Sequence, residues 1–243
     1  MPENMGVCFF RNYLYLDFDS RREGSYLLTF NLKNMSLLVV CPLGAQIADV
    51  VLDDCPSDVG QIQKLIFQRV FSTGTTRNTI SAANSTILGT WTTLLTAVDG
   101  TKAQITPWVS APENEPGERL TYGGGNDTVN GIPLTVGLDP SSFTCKLIRA
   151  HAKTANSLKG LYGETIGVWL VNEHGRIWGA SDDAETPTTY YPIPIRELFV
   201  SDRKLGGFLE PDYYMLSFQL EPNWSDTLNE IIPNFDPLTA LAN

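Results

Sequence analysis

The side chains able to do covalent or metal chemistry are few in this sequence, and their spacing does not suit it. There are two histidines, and neither has a second His, Cys or carboxylate at i+3 or i+4 to make a metal pair. His174 falls in an Asn172-Glu173-His174-Gly175 turn, where a solvent-exposed side chain is expected, and His151 stands beside Lys153 at the start of a predicted helix. The four cysteines, Cys8, Cys41, Cys55 and Cys145, form no C-x-x-C pair and are expected to be reduced packing residues. No G-x-S-x-G nucleophile turn occurs. Gly123-Gly124-Gly125 is followed by neither G-K-S/T nor a helix pattern, so these glycines are read as backbone freedom, not as a phosphate cradle. Asp53-Asp54 and the group Asp182, Asp183 and Glu185 lack D-x-D-x-D-G spacing and are read as solvated loop charge. Trp108, Trp169, Trp178 and Trp224 could form a sugar-stacking platform, but strand positions use the same residues for burial. No catalytic residue, cofactor or metal is assigned.

The elements that would hold any site are mostly strands. Tyr13, Tyr15 and Asp17 alternate with Leu14, Leu16 and Phe18, residues 25–32 repeat the style, and residues 37–40 form an apolar run closed by Cys41-Pro42. Later strands are expected over 103–109, 133–138, 143–148, 165–171, 176–179, 192–201 and 212–221, with a hairpin turn at 172–175. Three short helices are expected. The first follows Ser57 and Asp58, with Val59, Ile62, Leu65, Ile66 and Val70 on its stripe and Gly74 as a stop. The second carries Trp91, Leu94, Leu95 and Val98, and the third Ala155, Leu158, Leu161 and Tyr162 before Gly163. The fold class is therefore mainly β with two or three short helices, a β-sandwich or barrel-like core with long projecting loops, in a single domain over 1–243.

Two stretches break the pattern. Residues 110–131 contain two prolines, five glycines and the acidic residues Glu113, Glu115 and Glu118, with almost no apolar periodicity, and are expected to form a long irregular loop. Residues 72–84, rich in Ser, Thr and Asn, are a second candidate arm. Residues 222–243 are read as a C-terminal extension. Loops of such length in a compact domain are usually functional or ordered by a partner, so the arms suggest contacts between subunits.

Composition sets outer bounds. In 243 residues, 17 Lys+Arg against 27 Asp+Glu give a net charge of −10, the wrong sign for a protein that coats DNA by neutralising phosphates. With 42% hydrophobic and 18% charged residues the chain can build a core and is not a disordered acidic tail. No run approaches the length of a membrane span, and the start lacks the basic and apolar regions of a signal peptide, so neither a membrane nor export by that route is expected.

The segments Ile105-Thr106-Pro107-Trp108, Ala111-Pro112, Glu115-Pro116-Gly117, 121–126 and Ser142-Phe143-Thr144 resemble virion proteins of tailed bacteriophages. So do Gly167-Val168-Trp169-Leu170, Tyr191-Pro192-Ile193-Pro194-Ile195, Leu205-Gly206-Gly207-Phe208 and Pro222-Asn223-Trp224-Ser225-Asp226. The likeness covers roughly residues 85–240, in the order strand, strand, long loop, strand pair, helix and hairpin, and within that group it is most similar to a tail tube subunit. It implies a non-enzymatic protein of the virion, assembled in the host cytoplasm, whose copies close into rings, hexameric in that family. Stacked rings make a conduit through which DNA passes without specific binding, among other virion proteins. The resemblance makes Pro112, Glu113, Glu115, Pro116, Tyr122, Gly123, Gly124 and Gly125 candidate assembly-loop residues, and Trp224 and Phe235 candidate C-terminal contacts. A capsid-associated, decoration or neck protein is the alternative, and a carbohydrate-binding module the alternative of another class.

Physical reasoning adds two expectations. Ring closure uses heterologous contacts between different patches of one chain, which projecting arms supply, and pairing of sheet edges between neighbours would hide exposed strands. An acidic wall would repel phosphates and let DNA slide, provided the carboxylates line the lumen.

Overall fold

The computed structural model describes residues 60–241, together with the backbone of two short strands, β1 (Val7–Phe10) and β2 (Tyr13–Leu16), which pair antiparallel. The strands expected over 25–32 and 37–40, the carboxylates Asp53-Asp54, and Ser57, Asp58 and Val59 lie outside the described residues, as do Cys41, Cys55 and the side chain of Cys8. The fold is mainly β, and its large antiparallel sheet curls into a half-barrel.

The segment expected to be the first helix is a strand, β3 (Ile62–Arg69). Its apolar residues do recur at helical spacing, but they are buried on both faces: Leu65 and Phe67 enter one core, Ile66 the other. A strand covered on both sides carries no period-2 signal, so periodicity alone cannot separate it from a helix. The next stretch, read as an irregular arm, is largely ordered. It forms β4 (Phe71–Thr73), β5 (Thr76–Arg77), β6 (Ile80–Ser81) and helix α1 (Ala82–Ser85). Buried Asn78 holds it in place by donating from Nδ2 to the carbonyls of Arg69 (2.8 Å) and Gly100 (2.9 Å).

Helix α2 (Leu88–Thr96) places Trp91 in the core, whereas Val98 lies beyond its end and is exposed. Strand β7 (Ala103–Ile105) is shorter than the expected 103–109. The expected long loop begins as β8 (Ser110–Glu115) and β9 (Arg119–Tyr122), followed by two 3-10 turns at Gly125–Asp127 and Val129–Gly131. Then come β10 (Leu134–Leu138), β11 (Ser141–Ile148) and α3 (Ala152–Lys159). The His151 Nδ1 caps α3 by accepting the Lys153 N–H at 3.1 Å, and the helix stops at Gly160 rather than Gly163.

Strands β12 (Ile166–Asn172) and β13 (Ile177–Ser181) flank the expected hairpin turn, with Gly175 at φ +73°. They are followed by β14 (Thr189–Tyr191), β15 (Ile193–Val200), β16 (Tyr213–Leu220), β17 (Leu228–Ile231) and a last helix, α4 (Pro237–Ala240).

Sheet order runs β6-β14-β13-β12-β15-β16-β11-β8, with β3 between β12 and β7, and β17 on β13. Every residue of β12 is buried. Ile166, Val168 and Leu170 face a core shared with β11, β15, β16 and α3, while Trp169 and Val171 face a second core closed by α2, β17 and the C-terminal residues. In that second core Trp91 and Trp169 meet edge to face at 5.2 Å, and Trp169 Nε1 donates to Gln68 Oε1 at 3.2 Å. Gly179 permits this packing, because a Cβ there would run into the Trp169 ring. Register shifts in the β8–β11 and β15–β16 pairings, next to Ala111 (φ +48°) and Glu197 (φ +51°), are bulges that help bend the sheet.

Candidate assembly surfaces

The expected assembly-loop residues fall into two different structures. Pro112, Glu113 and Glu115 lie on β8, hydrogen-bonded as a ladder to β11. Glu113 stands opposite Thr144, and Glu115 opposite Ser142, whose Oγ donates to Glu115 Oε2 at 3.3 Å. Backbone pairing needs no apolar alternation, and the prolines and carboxylates of this segment hid the strand. Among the described residues β8 pairs with β11 alone, so its other edge is open. Pro116 is exposed at the exit from β8.

Beyond Pro116 the chain leaves the sheet as an antiparallel ribbon of β9 and β10. The Glu118 carbonyl accepts the Asp139 N–H at 2.9 Å, and Gly117 N–H reaches Ser141 Oγ at 3.2 Å, which fixes the ribbon's base. All nine strand residues of the ribbon are exposed. Leu134 faces Tyr122, and Gly137 faces Leu120, with Val136 at the register shift between. Because alternate residues share a face, Leu120, Tyr122, Leu134 and Val136 make one apolar surface, while Arg119, Thr121, Thr135 and Leu138 lie on the other. Gly123, Gly124 and Gly125 end β9 and start the tip at φ +74°, +120° and +58°, conformations that side chains disfavour. The tip adds exposed Val129 and Ile132. The loop expected over 110–131 hid Leu120, whereas Leu134 and Val136 fall in the strand expected over 133–138. The signal available was alternation at 134, 136 and 138 mirrored by 120 and 122 across a glycine-rich turn.

The two C-terminal candidates are brought into contact with this chain's own core, at separate places. Trp224 is half-buried against the first core and its Nε1 donates to Ser141 Oγ at 3.3 Å. Phe235 packs against the second core. Instead of extending away, the C-terminal residues add β17 to the sheet and α4 over the second core. Lys64 holds them: its Nζ donates to the carbonyls of Leu238 (2.6 Å) and Leu241 (3.3 Å) and lies 5.1 Å from the Trp108 ring centre. Burial pushes the Lys64 ammonium below its ordinary range, partly opposed by the Asp236 carboxylate.

The residues singled out for chemistry take structural positions. Cys145 is buried, and that burial pushes its thiol up to about 12, which suppresses the thiolate. His174 is exposed. Asp182 accepts hydrogen bonds from the Thr188 hydroxyl and from the Thr188 (3.0 Å) and Thr189 (2.9 Å) N–H groups, which hold its carboxyl below its usual range. Asp183 Oδ1 accepts from the Glu185 N–H at 2.8 Å, so these carboxylates shape their own loop. No group of three or more His, Cys, Asp or Glu able to hold a metal occurs among the described residues. The four-tryptophan platform does not form, because Trp169 and Trp178 are buried in different cores and only Trp108 is well exposed. No helix among the described residues is long and apolar enough to cross a membrane.

No protein-family model matches the chain, and no curated protein matches it. Among solved structures, a chain in the tail of an empty gene transfer agent particle with C6 symmetry is 12% identical, with a TM-score of 0.29, over 50% of this chain and 80% of that one. A chain of the native gene transfer agent virion is 12% identical, with a TM-score of 0.29, over 51% of this chain and 85% of that one.

Proposed function

We propose that this protein is a structural component of a phage-like virion without enzymatic activity, and that it is a tail tube subunit whose copies close into rings, six-fold by the sequence resemblance, and stack into a DNA conduit. The observation that carries the proposal is the β9–β10 ribbon. Among the described residues nothing covers its apolar face, and a two-stranded ribbon gains little stability in water unless something packs on it. A neighbouring subunit is the covering that an assembling protein supplies. Among the described residues the outer edges of β8 and β7 are open and offer further pairing between copies.

Charge supports the conduit. The chain carries 27 Asp+Glu against 17 Lys+Arg, a net charge of −10. A wall lined by the excess carboxylates would repel phosphate and let DNA pass without being held.

Electron microscopy of the purified protein tests this reading. Hollow rings or tubes of uniform diameter are expected, and a chain that stays monomeric at high concentration would overturn it. Labelling in purified particles separates the tube from a capsid or neck position: signal along the tail is expected, and signal confined to the head or neck would replace the tube assignment.

A further inference from the structure

A second uncovered apolar element lies far from the ribbon. Between β15 and β16 the chain forms a tight loop, 203–211, on a braced stem. Lys204 and Tyr213 exchange backbone hydrogen bonds (2.9 and 3.2 Å), Arg203 pairs with Asp212, and Lys204 Nζ lies 3.1 Å from Glu210 Oε2. Above this stem Leu205, Phe208 and Leu209 are 80%, 104% and 92% exposed. Holding three large apolar side chains in water on a rigid stem lowers the ordering cost of burying them against a partner.

The ribbon and the loop sit at opposite ends of one ladder. β11 and β16 pair continuously from Ser141↔Leu220 to Ile148↔Tyr213. The ribbon's base is at Ser141, and the loop's stem closes on Tyr213. From Ser141 to Ile148 the ladder spans roughly 24 Å at about 3.4 Å per residue. The two ends also differ in charge. Among the described residues, none of Glu115, Glu118 or Asp139 at the ribbon end is in an ion pair. At the loop end, Lys146 and Arg149 have no carboxylate partner among the described residues, and Lys146 lies 5.0 Å from the Tyr213 ring centre.

We infer that the two ends are the halves of one head-to-tail contact: the apolar face of the β9–β10 ribbon of one copy receives Leu205, Phe208 and Leu209 of the next. The carboxylates beside the ribbon then meet Lys146 and Arg149 beside the loop. The occupant is a second copy of this chain because both halves, apolar and charged, are present on it. Halves at opposite ends of a ladder cannot satisfy each other within one subunit, and repetition of the contact propagates along the ladder. The inference rests on the assembly reading above and adds which surfaces stack.

Mixing two assembly-defective variants tests it. Leu134→Ser with Val136→Ser removes the ribbon half, and Phe208→Ser with Leu209→Ser removes the loop half. Each variant alone is expected to lose tubes, leaving single subunits or, where lateral contacts persist, single rings. A 1:1 mixture is expected to give a species of twice that mass by analytical ultracentrifugation, since one intact half comes from each partner, and this recovery shows that both variants fold. If the loop variant forms tubes as the unaltered chain does, or if the mixture adds no new species, the inference is overturned while the assembly reading stands. If the unaltered chain itself never assembles, the reading falls and this inference with it.

Discussion

Strands β12 and β10 are both rich in apolar side chains, yet every residue of β12 is buried and every residue of β10 is exposed. Composition does not separate them. β12 has neighbours on both edges and a packed layer on each face, whereas among the described residues β10 has one partner strand and no packed layer. Burial is set by what the rest of the chain can bring to a strand. For β10 the described residues bring nothing, and its apolar face is open to another molecule.

The largest expected effect lies on the buried side. Trp169→Ala removes the indole that joins β12 to Trp91 and Gln68, and a loss of about 3–5 kcal/mol in chemical denaturation is expected. A loss below about 1 kcal/mol would mean that β12 is not the centre of the fold.

Next comes Lys64→Met, expected to cost about 1–2 kcal/mol through the lost donors to Leu238 and Leu241, and to speed proteolysis near the C-terminus. Its pH signature has a definite sign. Burial places the folded pKa below the ordinary 10.5, so just under pH 10.5 the unfolded chain binds more protons than the folded one. This group's contribution therefore rises with pH through that window, and the increment is absent from the methionine variant in denaturation curves taken at successive pH values.

Asp182→Asn is expected to act more locally, raising amide exchange at Thr188 and Thr189. Because its folded carboxyl titrates below the ordinary range, the stabilisation it gives is present above pH 3.8 and lost as pH falls through the folded value. Exchange in the native protein that is already as fast at neutral pH as in the asparagine variant would show that the carboxylate does not hold this loop.

The smallest effect on stability, and the sharpest for the comparison, is on the ribbon. Leu134→Ser with Val136→Ser is expected to leave monomer stability within about 0.5 kcal/mol while abolishing tubes. A large loss of stability would show that the ribbon packs on its own chain after all.

Much of the half-barrel was legible in the sequence, and its gaps have physical causes. The pairs β12–β13 and β15–β16 follow from apolar runs bounded by turns, and α2 and α3 from stripes that end in Gly or Asp-Gly. β3 read as a helix because burial on both faces erases alternation. β8 read as a loop because its ladder is made by backbone groups under Pro112, Glu113 and Glu115. The ribbon's apolar face was half visible: residues 133–138 read as a strand, while its partner was hidden behind the glycine-rich tip. Trp224 and Phe235 read as candidate contacts, and that they pack on this chain's own cores depends on distant strands that local pattern does not reveal.

The Lys64 tether has a consequence for synthesis. Lys64 and Leu241 are separated by 177 positions, and Leu241, Ile231 and Trp91 share the second core. A ribosome delivers the chain from its N-terminal side, so this core cannot close until Leu241 has cleared the exit tunnel. A nascent chain already displaying β9 and β10 still lacks its finished scaffold, and the sticky arm is coupled to a closed body only once Leu241 has emerged.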